Sequence, residues 1–272
     1  MPSPIQPDVG AFEMVETRPG GLLRGIVTRI VGYREMARRH IRTRETASLT
    51  VPLIISFGEP FYIGLGRAPS EADRIASFAA GLYAGPVLIE SFGASHCLQI
   101  DFSPLGARRF FKLPMHELAD RMVLLDDVLG NEGAALRERL GNAPDWRTRF
   151  ALVIDFVSAR IDAAKTPAAE VREVFGHIEI SGGRAPISRL AARIGWSRKH
   201  LADRFNAEVG LGPKSIARIV RFNRALAAAR SGGEGWADIA AGCGYADQAH
   251  LTREFQAMAG LSPAAWRAED FA

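Results

Sequence analysis

Ile239-Ala240-Ala241-Gly242-Cys243-Gly244-Tyr245, continued by Leu251, Phe255, Gly260-Leu261 and Pro263, decides the fold, because the chain has already spelled it once. The earlier copy runs Leu190-Ala191-Ala192, Gly195-Trp196, Leu201, Phe205, Gly210-Leu211, Pro213. The offset is 49 residues up to the glycine–aromatic pair and 50 beyond it, so the second copy holds one extra residue between Tyr245 and Leu251. So many matches in one order mark an internal repeat. Each copy has the chemistry of a helix-turn-helix. A short helix carries a small Ala-Ala pair that lets a second helix approach closely. Gly195 and Gly244 stand where the chain leaves that helix, a place that favours left-handed backbone angles. Ser197 and Asp247 then serve as N-caps. Leu201 and Phe205, like Leu251 and Phe255, lie four apart on one inward face, and Pro213 and Pro263 open new helices where proline costs nothing.

Between the copies, Pro213 to Ala229 reads as one helix, with Ile216, Ile219, Val220 and Leu226 apolar and Arg218, Arg221 and Arg224 among them. At 1.5 Å per residue such a rod spans ~25 Å. That is the order of length needed to hold two recognition helices about one DNA turn (~34 Å) apart. Charge points the same way. From Arg184 to Arg230 there are eleven bases against two acids, Asp203 and Glu208, a local +9 in a chain whose total is +4. An excess so lopsided is better explained by phosphate contact than by a merely solvated face.

The first half reads differently. Leu49–Phe57, Pro86–Phe92 and Cys97–Phe102 are short, rich in Val, Ile, Leu and Phe, and bounded by Gly or Pro, which predicts strands of a sheet or small barrel. Helical patterns follow at Asp126–Leu140 and at Trp146–Ile161. In the second of these, Trp146, Phe150, Val153, Val157 and Ile161 form one stripe that packs on its own barrel or forms a dimer seam. Lys165-Thr166-Pro167 breaks the chain. The predicted architecture is α+β, with a β-barrel or sheet domain and trailing helices over 1–165. An all-α domain of two helix-turn-helix motifs on a long linker helix follows over 169–272.

Residues from about 170 to 267 resemble the AraC-type (AraC/XylS) transcription regulators. The residues that carry the likeness are Leu190-Ala191, Gly195, Ser197, Leu201, Phe205, Gly210 and Pro213. With them go the run 239–245, Asp247, His250-Leu251, Arg253, Phe255, Gly260, Ser262-Pro263 and Trp266-Arg267. The family usually has Tyr where Trp266 stands and often Phe where Leu251 stands, and both exchanges keep an apolar side chain. The resemblance implies sequence-specific binding of promoter DNA through outward residues of the recognition helices. These are Ser197, Arg198, Lys199, Ala202 and Asp203 in the first, and Gln248, His250, Thr252 and Arg253 in the second; Arg218 and Arg221 of the linker are added for phosphate. Arg253 suits a bidentate pair with guanine, Gln248 one with adenine, Asp203 the N4 amine of cytosine, and Ala202 a thymine methyl. The stretches Leu105-Gly106-Ala107-Arg108-Arg109-Phe110-Phe111 and Pro114-Met115-His116-Glu117-Leu118 are similar to the sensor domains of one branch of the family, which are cupin-like. That implies a small-molecule effector, with RNA polymerase and a second copy of the chain as further partners.

Other chemistries are poorly served. Cys97 and Cys243 have no CxxC partner, and packed thiols are expected. His96 and Cys97 are neighbours on a strand and so face opposite ways, which denies them a nucleophile–base pair. His40, His96 and His116 are isolated and form no HxH pair, so no metal and no cofactor is expected. Arg34, Arg38, Arg39, Arg42 and Arg44 read as the wet side of an edge strand. No apolar run reaches the about 18 residues of a membrane helix. Met1–Gly20 lacks the basic start and apolar core of a secretory signal, and a cytoplasmic, non-enzymatic protein is the expectation. The rivals are a DNA-repair alkyl transferase fused to the same module, which needs a cysteine cluster absent here, and an architectural DNA binder that answers to no small molecule.

Overall fold

The computed structural model describes residues 12–36, 39–162 and 164–270, so Arg38 of the basic stretch and the first eleven residues of Met1–Gly20 lie outside the described residues. The N-terminal half holds ten antiparallel strands: β1 (Phe12–Thr17), β2 (Val27–Glu35), β3 (Ile41–Glu45), β4 (Val51–Ser56), β5 (Phe61–Leu65), β6 (Arg74–Ile75), β7 (Phe78–Ala80), β8 (Val87–Ser91), β9 (His96–Phe102) and β10 (Met122–Leu124). They form a six-stranded sheet, β1-β2-β9-β4-β7-β10, and a four-stranded one, β3-β8-β5-β6. Of the barrel or sheet expected, the structure has sheets, two of them. The strand ladders of one do not continue into the other, and β3, where Arg42 and Arg44 lie, forms an edge.

Alternation along β9 assigns the faces of the larger sheet. Leu98, Ile100 and Phe102 are fully buried on the face covered by helices, where Phe102 stacks on Phe110 of α1 (Pro104–Phe111) at 4.6 Å. Cys97 points the other way, into the cluster of Ile54, Phe61, Ile63 and Phe78. Burial, and then the charge of Glu35, push its thiol up to about 12, so it holds no thiolate at neutral pH. Glu35 is buried too and is satisfied by the Tyr33 hydroxyl at 3.1 Å, the Ser95 amide at 2.9 Å and the Ser91 hydroxyl. His96, on the helix face, meets Phe57 and Trp146 edge-on at 4.3 and 5.3 Å.

The segment expected as one helix over Asp126–Leu140 is two, α2 (Leu125–Leu129) and α3 (Asn131–Asn142). Gly130 breaks it with φ 56° and ψ −141°, a backbone conformation open essentially to glycine alone. The next helix, α4 (Trp146–Asp162), buries Val153, Val157 and Ile161 completely in the chain's own core, so this stripe is used within the molecule rather than as a dimer seam. After a non-helical stretch come α5 (Ala169–Ile180), α6 (Ile187–Arg193), α7 (Arg198–Glu208), α8 (Pro213–Ser231), α9 (Trp236–Cys243), α10 (Gln248–Ala259) and α11 (Pro263–Asp270). The apolar core runs without interruption from Ile30, Ile55 and Phe102 through Val157 to Phe175, Phe205 and Ile216. A second core gathers Ile219, Phe222, Leu226, Ile239, Leu251, Phe255 and Trp266. Among the described residues no helix is long and apolar enough to cross a membrane.

Two stability outcomes follow from these positions. Gly130→Ala is expected to cost ~1–3 kcal/mol in urea unfolding. Gly176→Ala, inside α5 with open space where its Cβ would stand, is expected to add about 0.5–1 kcal/mol. Burial, with Arg149 and Arg34 nearby, holds His96 down to about 4 from 6.5. The unfolded chain therefore takes up a proton at this site at a pH where the folded chain does not, and stability contributed by His96 is lost as pH falls from about 6.5 toward about 4. His96→Gln is expected to flatten that part of the pH–stability curve, and an unchanged slope would assign it to other groups.

Candidate nucleic-acid interface

The repeat seen in the sequence recurs bond for bond. In the first copy the amide of Trp196 donates to Ala191 C=O at 3.0 Å; in the second that of Tyr245 donates to Ala240 C=O at 2.9 Å, 49 residues on. Gly195 and Gly244 carry φ of 72° and 81°, as the sharp exit from α6 and α9 requires. Past the turn the offset becomes 50. Ser197 Oγ accepts from the His200 amide at 3.1 Å, and Asp247 Oδ1 from the His250 amide at 2.6 Å. The extra residue, Ala246, is thus taken up in the turn, and neither helix is disturbed. His200 packs edge-on against Trp196 at 4.5 Å, and His250 does the same with Tyr245 at 5.3 Å. Leu201, Phe205, Leu251 and Phe255 are fully buried, which fixes the rotation of each recognition helix and turns the opposite side outward.

On that outward side of α7, Ser197, Arg198, Lys199 and Asp203 are exposed and Ala202 is half-buried. On α10, Gln248 and Arg253 are exposed, while His250 and Thr252 are half-buried. The Thr252 hydroxyl donates to Gln248 C=O at 2.9 Å, which leaves it an acceptor toward any base. α7 has no acid at its N-cap or in its first turn, so its N-terminal end keeps the positive partial charge that favours phosphate, whereas the Asp247 carboxylate caps that of α10.

Arg218 and Arg221 are placed otherwise than free phosphate anchors. Glu254, buried on the inner side of α10, takes Arg218 Nε at 2.7 Å and Arg221 Nη2 at 3.3 Å, and Arg221 lies 5.0 Å over the Tyr245 ring. The second recognition helix is thereby pinned to α8 by charge as well as by apolar contact. Sequence reasoning missed Glu254, and it passed over Arg184 and Lys214, whose only signal was membership of the basic run. Cys243 is buried in the second core, where burial raises its thiol above the ordinary range.

The N-terminal half touches both motifs. Gly210, after α7, comes so near Met115 that a Cβ there would lie 3.2 Å from the Met115 carbonyl oxygen; one on Gly260, after α10, would lie 3.1 Å from Pro86. The Ala47 amide donates to Met258 C=O at 3.0 Å, and Ala47 belongs to the second core.

Residues 190–269 match the family model described as a helix-turn-helix domain. No curated protein shows significant sequence similarity to the chain. Among solved structures, an apo lysine-to-alanine variant of ToxT from Vibrio cholerae is 10% identical, with a TM-score of 0.48 over 95% of this chain and 97% of that one. ToxT from Vibrio cholerae bound to (E)-4-(8-methylnaphthalen-1-yl)but-3-enoic acid is 11% identical, with a TM-score of 0.43 over 85% and 99%. The AraC-like transcriptional activator CuxR is 14% identical, with a TM-score of 0.28 over 81% and 87%. With two capped helices repeated at a fixed offset and a family model spanning both, residues 190–269 of this chain are a helix-turn-helix domain.

Proposed function

We propose that the chain is a sequence-specific, DNA-binding transcription regulator, with a sensor unit over about 1–165 that takes a small-molecule effector and a reader unit over about 169–272. The observation that carries this reading is the pair of recognition helices held on one rod. The residues of α8 divide between the two cores, Ile216 entering the first and Ile219, Phe222 and Leu226 the second. Two readers so joined suit adjacent major grooves on one side of a duplex. Arg198, Lys199 and the N-terminus of α7 with its Ser197 cap position the protein on phosphates; Ala202, Asp203, Gln248, Thr252 and Arg253 read bases; His250 stands at the edge of the second groove. A non-enzymatic role in the cytoplasm, with RNA polymerase and a second copy as partners on a promoter, belongs to the same reading.

Effector response is supported by the seams just described. The N-terminal half bears on the C-terminal end of each recognition helix, through Met115 and through Pro86 with Ala47. An effector shifts DNA affinity only to the extent that it binds one arrangement of those seams better than another.

The test is fluorescence anisotropy of the full chain with DNA from upstream of its own gene, across a salt series. Tight, sequence-dependent binding with log K falling steeply in log salt is expected. Arg253→Ala is expected to cost ~1–3 kcal/mol on the preferred site and to relax one base position. Equal weakening on every sequence would remove Arg253 from the base-reading set.

A further inference from the structure

Three parts of the domain meet at a cleft of about 580 Å³ that none of the readings above has used. One wall is the turn ahead of α6, which carries Arg184. A second is the start of α8, with Lys214, Arg218 and Arg221. The third is α10, with His250 and Glu254. Four full positive charges face one negative one. Arg218 and Arg221 are already oriented by Glu254 through one donor each. Arg184 and Lys214 are exposed, and neither has a carboxylate partner among the described residues.

The cleft is built rather than accidental. The turn that presents Arg184 is clamped onto the linker, since a Cβ on Gly183 would come within 2.1 Å of the Ala217 carbonyl oxygen. The aliphatic stem of Arg184 then lies across Gly244, the turn glycine of the other motif, where an added Cβ would approach its Cδ to 2.7 Å. One arginine from the first motif is therefore held against the second, and among the described residues its guanidinium donates to Ser181 C=O at 3.1 Å. The site lies beside the second recognition helix, and His250, in the first turn of α10, forms part of its rim. A duplex read by α10 brings the backbone beside that groove toward this rim.

We propose that the cleft seats one phosphate group, held by Arg184 and Lys214 with the Glu254-oriented Arg218 and Arg221 behind them. This rests on the DNA-binding reading for its favoured ligand, a phosphodiester of the duplex beside the groove that α10 reads. A free phosphate-bearing small molecule offers the same chemistry. Glu254 has a stated part in it. By taking one donor from each arginine it fixes both guanidinium planes before the anion arrives, which lowers the ordering cost of binding.

The experiment compares the full chain with the Arg184→Gln/Lys214→Gln double variant, both positions being exposed, in two arms. In the first, anisotropy with the preferred duplex and with an unrelated duplex is followed over a salt series. Loss of one seated phosphate is expected to make the log K against log salt slope shallower by about 0.9 and to weaken both duplexes alike, leaving the sequence preference in place. In the second arm, inorganic phosphate is titrated calorimetrically without DNA. An unchanged salt slope together with saturable phosphate binding that the double variant loses would keep the seat and assign it to a free phosphate compound. An unchanged slope with no phosphate binding would overturn it. Should the native chain bind no DNA at all, the regulator reading fails by itself, and the calorimetric arm alone decides the seat: saturable binding lost in the double variant upholds it, and no binding overturns it.

Discussion

The arrangement of the reader depends on α8 being buried along its length in two different cores. Ile216 and Ala217 close the first, while Ile219, Phe222, Ala225, Leu226 and Ala229 line the second. Its nineteen residues correspond to a rod of ~28 Å. Turning one motif against the other would pull large side chains out of one core, at about 1.5–3 kcal/mol for each Leu, Ile or Phe exposed. Relative placement of α7 and α10 is therefore set by close packing, and the Glu254 ion pairs add direction to it.

Phe255 shows how the second core is keyed. Its ring is met edge-on by Phe222 of the linker at 5.2 Å, Trp236 of α9 at 5.5 Å and Trp266 of α11 at 5.6 Å. One residue thus joins every helix of the second motif to the rod. The same residue fixes the rotation of α10 and so decides that Gln248 and Arg253 face outward. Core and interface are two sides of one helix, and a sequence change on the inner side moves the outer side with it.

What the sequence revealed was local, and what it hid was long-range. Ser197, Asp247, Gly195, Gly244, Pro213 and Pro263 were readable because a cap, a left-handed turn and a first-turn proline are each decided within about four residues. The 49-to-50 change of offset even located the longer turn. Glu254 was not readable, because an acid on a helix looks solvated until its partners arrive from 33 and 36 residues away. The break at Gly130 was hidden because glycine inside a helical pattern is usually tolerated. The two open sheets were hidden because alternation gives a strand its faces but not its neighbours: β9 lies between β2 and β4, which are distant in sequence. The continuity of the first core past Lys165-Thr166-Pro167 was hidden for the same reason, since a break in pattern says nothing of what packs across it.

The seams complete the mechanical picture. Met115 follows β9 and α1, on the side of the six-stranded sheet, and abuts the end of α7. Pro86 opens β8 of the four-stranded sheet and abuts the end of α10. Ala47 lies in the connection between β3 and β4, which crosses from one sheet to the other, and donates to Met258 within α10. The two recognition helices therefore meet different parts of the N-terminal half. Any change in the spacing of those parts must either bend α8 or open one of these seams. Bending α8 disrupts two close-packed cores. Opening a seam separates a glycine turn from a proline or a methionine, breaks one amide hydrogen bond worth about 0.5–1.5 kcal/mol net, and parts Met115 from the continuous first core or Ala47 from the second. Either route costs buried packing, so the ends of α7 and α10 are coupled to the N-terminal half, while the spacing of the two helices is held by the rod between them.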